Sequence, residues 1–174
     1  MSTPKRDRRS FFNLRYVRTE RRKGTRWWAA ILVLSIPLYF FFDRYVVSTG
    51  IVTDISMLPT LREGRYFLIN KAAFHLGRPK RGDIVILRRF KNERSYYVKR
   101  VIGLEGETLK IASGRVWVNS RVLNEPYVTG QTWPNMGPFL IEKNYYFVLG
   151  DNRENSEDSR AFGSVPLESI EGKL

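Results

Sequence analysis

The stretch TDISMLPT, residues 53 to 60, places one serine, Ser56, in a segment whose Met-x-Pro cannot continue a helix. A serine hydroxyl is not ionised at neutral pH, so it becomes a nucleophile only beside a base. The chain offers two candidates. One is its single histidine, His75, in KAAFHLGRP, which has no acidic residue close in sequence to orient the ring and reads as a surface or helix-end histidine. The other is Lys99 in SYYVKRVIG, whose alternation puts Tyr97, Lys99 and Val101 on one strand face and Val98, Arg100 and Ile102 on the other. One of the two adjacent cations therefore points to the core side. A solvated lysine, with a pKa of about 10.4, is neutral in roughly one molecule in 2,500 at pH 7 and makes a poor base. Lowering that pKa to about 7 takes roughly 3.4 units, or ~4.6 kcal/mol, which lies within the reach of full burial. A Ser56–Lys99 dyad is thus feasible, with Tyr96, Tyr97, Val98 and Val101 as its apolar setting. The competing reading is a solvent-facing Lys-Arg pair in an edge strand.

A third stretch, LGDNRENSEDSR at 149 to 160, has ten polar or charged residues among its twelve and follows the apolar YYFV. Counted from Asp151, the turn glycine and closing glutamate of a calcium loop would fall on Ser156 and Phe162, so that template fails. A solvated turn is the other reading. The chain has no cysteine, which removes disulfides, thiol catalysis and thiolate metal sites, and one histidine removes multi-histidine sites. Neither a metal nor a cofactor is expected.

The elements that must position these residues are mostly β. The 174 residues, 43% apolar and 14% aromatic, suffice for one ordinary domain with a short appendage. Beyond residue 50, short β-rich runs alternate with Gly, Pro, Asn and Ser: 65 to 70, 83 to 89, 95 to 103, 107 to 111, 115 to 119 and 144 to 150. Ser113-Gly114 reads as a hairpin turn. The fold class is a mostly β catalytic domain, an antiparallel sheet or partly open barrel, preceded by an N-terminal transmembrane helix.

That helix is inferred from charge and hydropathy. The net charge of +13 is lopsided: residues 1 to 26 hold ten basic residues against Asp7 and Glu20. The uncharged WWAAILVLSIPLYFFF, Trp27 to Phe42, follows at once. Its 16 residues reach roughly 24 Å, and continuing to Val47 gives 21 residues and roughly 31 Å, enough for the hydrocarbon core if Arg44 snorkels. A buried core helix would not need so many flanking cations, and a cleaved signal peptide ending at VVS before Thr49 would have an unusually long basic region. The positive-inside rule keeps the tail cytoplasmic and places residues 48 to 174 across the membrane. The arginines then serve orientation and anionic lipid, and nucleic acid is not an expected partner.

Taken together, SMLPTL, RGDIVIL, YYVKRVIGLEGE, VWVNSRVLNEPYV and GDNRENSEDSRAFGSV resemble the signature boxes of bacterial type I signal peptidases, in order and at about the expected separations. The resemblance covers nearly the whole chain from about residue 27. It implies that Ser56 is the nucleophile and Lys99 its general base, and that Ser156 hydrogen-bonds and orients the lysine amine. It makes Asp158 and Arg160 a supporting ion pair, places Asp151 and Arg153 in the turn that presents them, and gives Arg100 and Met57 a part in shaping the site.

The implied activity is a membrane-bound serine endopeptidase that cuts signal peptides after a small-x-small pattern, with no cofactor, as a monomer in the bacterial cytoplasmic membrane. Ile55, Met57 and Leu58 are the expected substrate-binding residues, and an extended substrate adds a strand beside them. The sequence departs from its relatives at Asp54, where many members carry Ser or Gly, and at Ile55. A carboxylate does not donate to an oxyanion unless protonated, so the donor beyond the Ser56 N–H is unassigned. TWPNMGPF at 132 to 139 presents Trp133, Met136 and Phe139 either to the lipid interface or to the sheet. Two other readings stand beside this one: a specialised Ser-Lys peptidase of a pilin or conjugation system, and a degenerate membrane-anchored scaffold.

Overall fold

A computed structural model describes residues 24–88 and 95–174, with the backbone alone for 24–26, 41–44 and 75–76. The chain divides into two units, Met1–Pro37 and Leu38–Leu174.

Helix α1 spans Gly24–Tyr45, 22 residues with Pro37 inside. It stops two residues short of the expected Val47, because Val46 and Val47 are β-branched and the Val46 carbonyl accepts the Lys71 N–H at 2.9 Å, starting a ladder. Trp27, Leu34 and Phe40 are exposed at 73%, 67% and 63%. Among the described residues no helix is long and apolar enough to cross a membrane.

The second unit is built from antiparallel strands. One sheet runs β1-β2-β11-β3-β4-β9-β10, from β1 (Val47–Ile51), β2 (Tyr66–Asn70), β3 (Ile84–Leu87), β4 (Tyr97–Gly103), β9 (Tyr145–Leu149), β10 (Val165–Pro166) and β11 (Ile170–Lys173). The other runs β7-β6-β5-β8, from β5 (Thr108–Ala112), β6 (Arg115–Val118), β7 (Arg121–Val122) and β8 (Met136–Leu140). Each of the six runs read as strands contains a strand; Arg89, at the end of the 83 to 89 run, lies outside the described residues. Ser113 and Gly114 both take positive φ, 52° and 72°, as a tight turn between β5 and β6 demands. Two short helices, α2 (Ala73–Leu76) and α3 (Ser159–Phe162), complete the unit. His75 lies in α2, and its side chain is outside the described residues.

β4 and β9 are central strands buried on both faces, which is why each reads as a continuous apolar run. On one face Val101, Tyr146 and Val148 pack with Val85, Leu87, Val165 and Ile170. On the other, Ile102, Phe147 and Leu149 join Leu109, Ile111, Val116 and Ile141 from the second sheet and its connections. The second sheet therefore packs on one face of the β4–β9 pair. The 132 to 139 segment divides: Met136 and Phe139 pack on this second core, with Met136 opening β8, while Trp133 stays 48% exposed.

Candidate active site

Lys99 sits mid-β4, opposite Val85 of β3. The edge-strand reading is therefore overturned: both cations are buried, with Lys99 1% and Arg100 9% exposed. Alternation sends them to opposite faces, and each meets a partner there.

Lys99 meets the nucleophile candidate. Its Nζ lies 2.7 Å from Ser56 Oγ, and Ser56 is 3% exposed. Removal from water disfavours the ammonium and pushes the Lys99 pKa below its ordinary value, against smaller opposing pulls from Asp54, Asp158 and Glu157. The Tyr97 ring, 5.9 Å from Nζ, closes one side.

Ser56 is presented by the segment joining β1 to β2, which folds on itself. The Leu58 N–H donates to Ile55 O at 3.1 Å, Leu61 N–H to Met57 O at 2.9 Å, and Gly64 N–H to Val52 O at 2.8 Å. The acidic loop after β9 docks on it: Asn152 N–H donates to Ser56 O at 2.9 Å, and Asn152 Nδ2 to Ile55 O at 3.2 Å. Gly150 is required at this junction, since a Cβ there would stand 2.3 Å from Ser156 Oγ and 2.6 Å from Ser56 O.

That loop is a buried polar knot and not a solvated turn. Asp158, fully buried, accepts two bonds from the Arg160 guanidinium at 2.8 Å each, and also the Gly150 N–H at 3.0 Å. Asp151, equally buried, takes Arg100 Nε and Nη2 at 2.8 and 2.6 Å and the Thr60 hydroxyl at 2.5 Å. Arg153, expected only in the turn, is 2% exposed and bonded to Gly150 O, Thr132 and Glu125. Such pairs persist in a low dielectric because both ions are fully engaged.

Ser156 departs from expectation. Its Oγ is buried without a hydrogen-bond partner, so the anticipated bond to the lysine amine is not made. The hydroxyl lies 2.3 Å from where a Cβ on Gly150 would stand, so it occupies space that the glycine leaves open. A neighbouring serine, Ser159, does hold a bond, accepting the Val148 N–H at 3.0 Å.

A cleft of about 1140 Å³ opens beside Ser56, lined among others by Asp54, Met57, Phe67, Ile69, Ile86 and Val98. Of the expected substrate-binding residues, Met57 lines it and is 1% exposed; Ile55, 41% exposed, and Leu58 do not line it. Phe67 and Ile69 take their place from β2, where alternation in RYFLIN would have put them on one face. Sequence reasoning also missed Thr60, Glu125, Tyr127 and Thr132. Tyr127 stacks under the Arg100 guanidinium at 3.9 Å, and burial raises its phenol pKa. Glu125 and Tyr127 fall in NEPYV, a stretch quoted for its resemblance whose individual residues carried no assigned task.

A serine hydroxyl thus stands 2.7 Å from a buried amine, beside a strand-lined cleft. Comparison with known proteins gives the family. The profile of the signal peptidase, peptidase S26 family matches residues 25–174. A probable signal peptidase I-2 of Synechocystis is 35% identical over 150 residues, 83% of this chain and 66% of that one. A signal peptidase I of Leptolyngbya laminosa is 34% identical, covering 80% and 72%, and signal peptidase I T of Bacillus subtilis 33% identical, covering 83% and 80%. The chain spans about two thirds to four fifths of the length of these relatives. A solved signal peptidase I from Enterococcus faecalis is 32% identical, covering 56% of this chain and 97% of that one, with a TM-score of 0.49. The chain belongs to the signal peptidase S26 family: it is a serine peptidase of the class that removes signal peptides.

Proposed function

We propose that Ser56 and Lys99 carry out this cleavage as nucleophile and general base. The observation that carries the reading is the 2.7 Å approach of a buried amine to a buried hydroxyl. Neutral Lys99 takes the Ser56 proton as Oγ attacks the scissile carbonyl. The ammonium so formed protonates the departing amine, which leaves an acyl-serine, and the amine, neutral again, activates a water for deacylation. The Ser56 N–H is the natural oxyanion donor.

The substrate lies extended in the cleft, its small residues against Met57, Ile69 and Ile86. Residues 1–26 form a cytoplasmic tail, 27–47 contain the membrane anchor, with the helix itself ending at Tyr45, and 48–174 act outside as a monomer. The uncharged run from Trp27 to Phe42 and its ten preceding cations support that topology. Asp158–Arg160 and Asp151–Arg100 act as positioning pairs that hold the 150–160 loop against Ser56.

The test is cleavage of a purified preprotein by the detergent-solubilised full chain and by Ser56→Ala and Lys99→Ala. Both variants should fold normally and lose roughly 10³-fold or more in rate. A variant that retains the wild-type rate removes its residue from the mechanism, and an inert wild type favours a scaffold.

A further inference from the structure

Asp54 lies two residues before the nucleophile, and its carboxylate turns back on both halves of the dyad. Oδ1 accepts the Ser56 N–H at 3.3 Å, the local contact that an aspartate makes with the backbone two residues on. Oδ2 stands 4.0 Å from Lys99 Nζ. The side chain is 65% exposed, in contrast to the 1% of the lysine it faces, and it lines the cleft. It is held only by that one long bond and the 4.0 Å ion pair, with solvent on its open side.

Two consequences are chemical. The N–H that the oxyanion needs is occupied by an acceptor in the resting enzyme. A carboxylate left in that place would also repel the alkoxide that develops there, since like charges disfavour each other most in a water-poor site. The other charges facing Lys99 are already committed or remote. Asp158 is neutralised by Arg160 through two bonds, and Glu157 is exposed. Asp54 is the leading charge that favours the ammonium, and the Tyr97 ring is the remaining near neighbour.

Resting on the Ser56–Lys99 reading, we propose that Asp54 is a displaceable latch: its carboxylate holds the nucleophile's N–H and the lysine amine in the free enzyme, and an arriving extended substrate must swing it into solvent. The latch raises the amine's affinity for its proton in the unliganded enzyme, occupies the N–H that the oxyanion needs, and ties activation to occupancy of the cleft. Asp54 is a positioning residue, since it acts through Lys99 and the Ser56 amide.

The experiment measures kcat/KM against pH for the full chain in detergent and for Asp54→Ala and Asp54→Asn, with Lys99→Ala as a control on the dyad. Removing the negative charge lowers the lysine's proton affinity. The midpoint of the alkaline rise should therefore move to lower pH in both variants by roughly half a unit or more, the shift that two charges 4.0 Å apart produce even in water. On the rising limb this is a gain of roughly threefold or more. Asparagine keeps the shape without the charge, so it must follow alanine. Unshifted midpoints in both variants, a shift in alanine alone, or a loss of activity on removing the carboxylate would each overturn the latch. An inactive Lys99→Ala beside unshifted Asp54 variants leaves the dyad standing and removes only the latch; an active Lys99→Ala removes both.

Discussion

The Arg100 guanidinium grips the Asp151 carboxylate with two bonds, Nε to Oδ1 at 2.8 Å and Nη2 to Oδ2 at 2.6 Å, and so ties the strand that carries Lys99 to the loop that docks on Ser56. Arg100 Nη1 adds a bond to Gly82 O at 2.8 Å, and Thr60 reaches the same carboxylate from the segment after Ser56. Two separate stretches of chain, β4 and the segment after Ser56, thus converge on one buried acid.

Removing that acid should be expensive. Asp151→Ala leaves a mostly buried guanidinium without its carboxylate, and a loss of about 3 kcal/mol is expected in denaturant unfolding. Arg100→Lys keeps the charge but not the fork, and should lose activity before it loses the fold. Equal stability of wild type and Asp151→Ala would show that the pair is ornamental.

A second expectation concerns Gly150→Ala. The added methyl would stand 2.6 Å from the Ser56 carbonyl oxygen and 2.3 Å from Ser156 Oγ, so backbone on one side or the other must yield. A shift of about 1 Å in the nucleophile costs on the order of 100-fold in rate. The measurement is kcat/KM alongside the melting midpoint: a large fall in rate with a modest fall in stability, about 1–3 kcal/mol, is the expected pattern. An unaltered rate would mean that the loop does not brace the serine.

The buried amine also makes a prediction about stability. Burial lowers the Lys99 pKa in the folded chain, so between that value and the ordinary one near 10.4 the unfolded chain binds more protons, and stability rises with pH across that window. Below the folded value the native protein holds a desolvated ammonium at full cost. Lys99→Met has no such charge. It should melt higher than wild type at neutral pH, with the gap closing as pH climbs toward about 10.4. A variant less stable at every pH would show that the lysine is not penalised by its surroundings.

Much of this was legible in the sequence because β4 and β9 sit between two cores. Burial on both faces writes long apolar runs, and a lysine within such a run is conspicuous. The strands that went unread are short or carry breakers: MGPFL in β8 holds a glycine and a proline, and β10 is only Val165–Pro166. Local pattern fixes neither partner nor direction at long range. Ser56 and Lys99 are 43 residues apart, Arg100 and Asp151 51 apart, and only tertiary packing brings them together. Ile55 and Leu58 fall outside the cleft lining, since proximity in sequence to Ser56 does not say which way a side chain points. Ser156, assigned by its motif position, is buried beside the site while its hydroxyl makes no bond to the amine.

The most direct test is the pH dependence of kcat/KM on a preprotein or signal-peptide substrate. An amine shielded from water by Tyr97 and the two strands beside it should give an alkaline rise whose midpoint lies well below 10.4, and that rise should vanish in Lys99→Ala. A midpoint at the solvated lysine value, or a rise that survives the loss of the amine, would contradict the dyad.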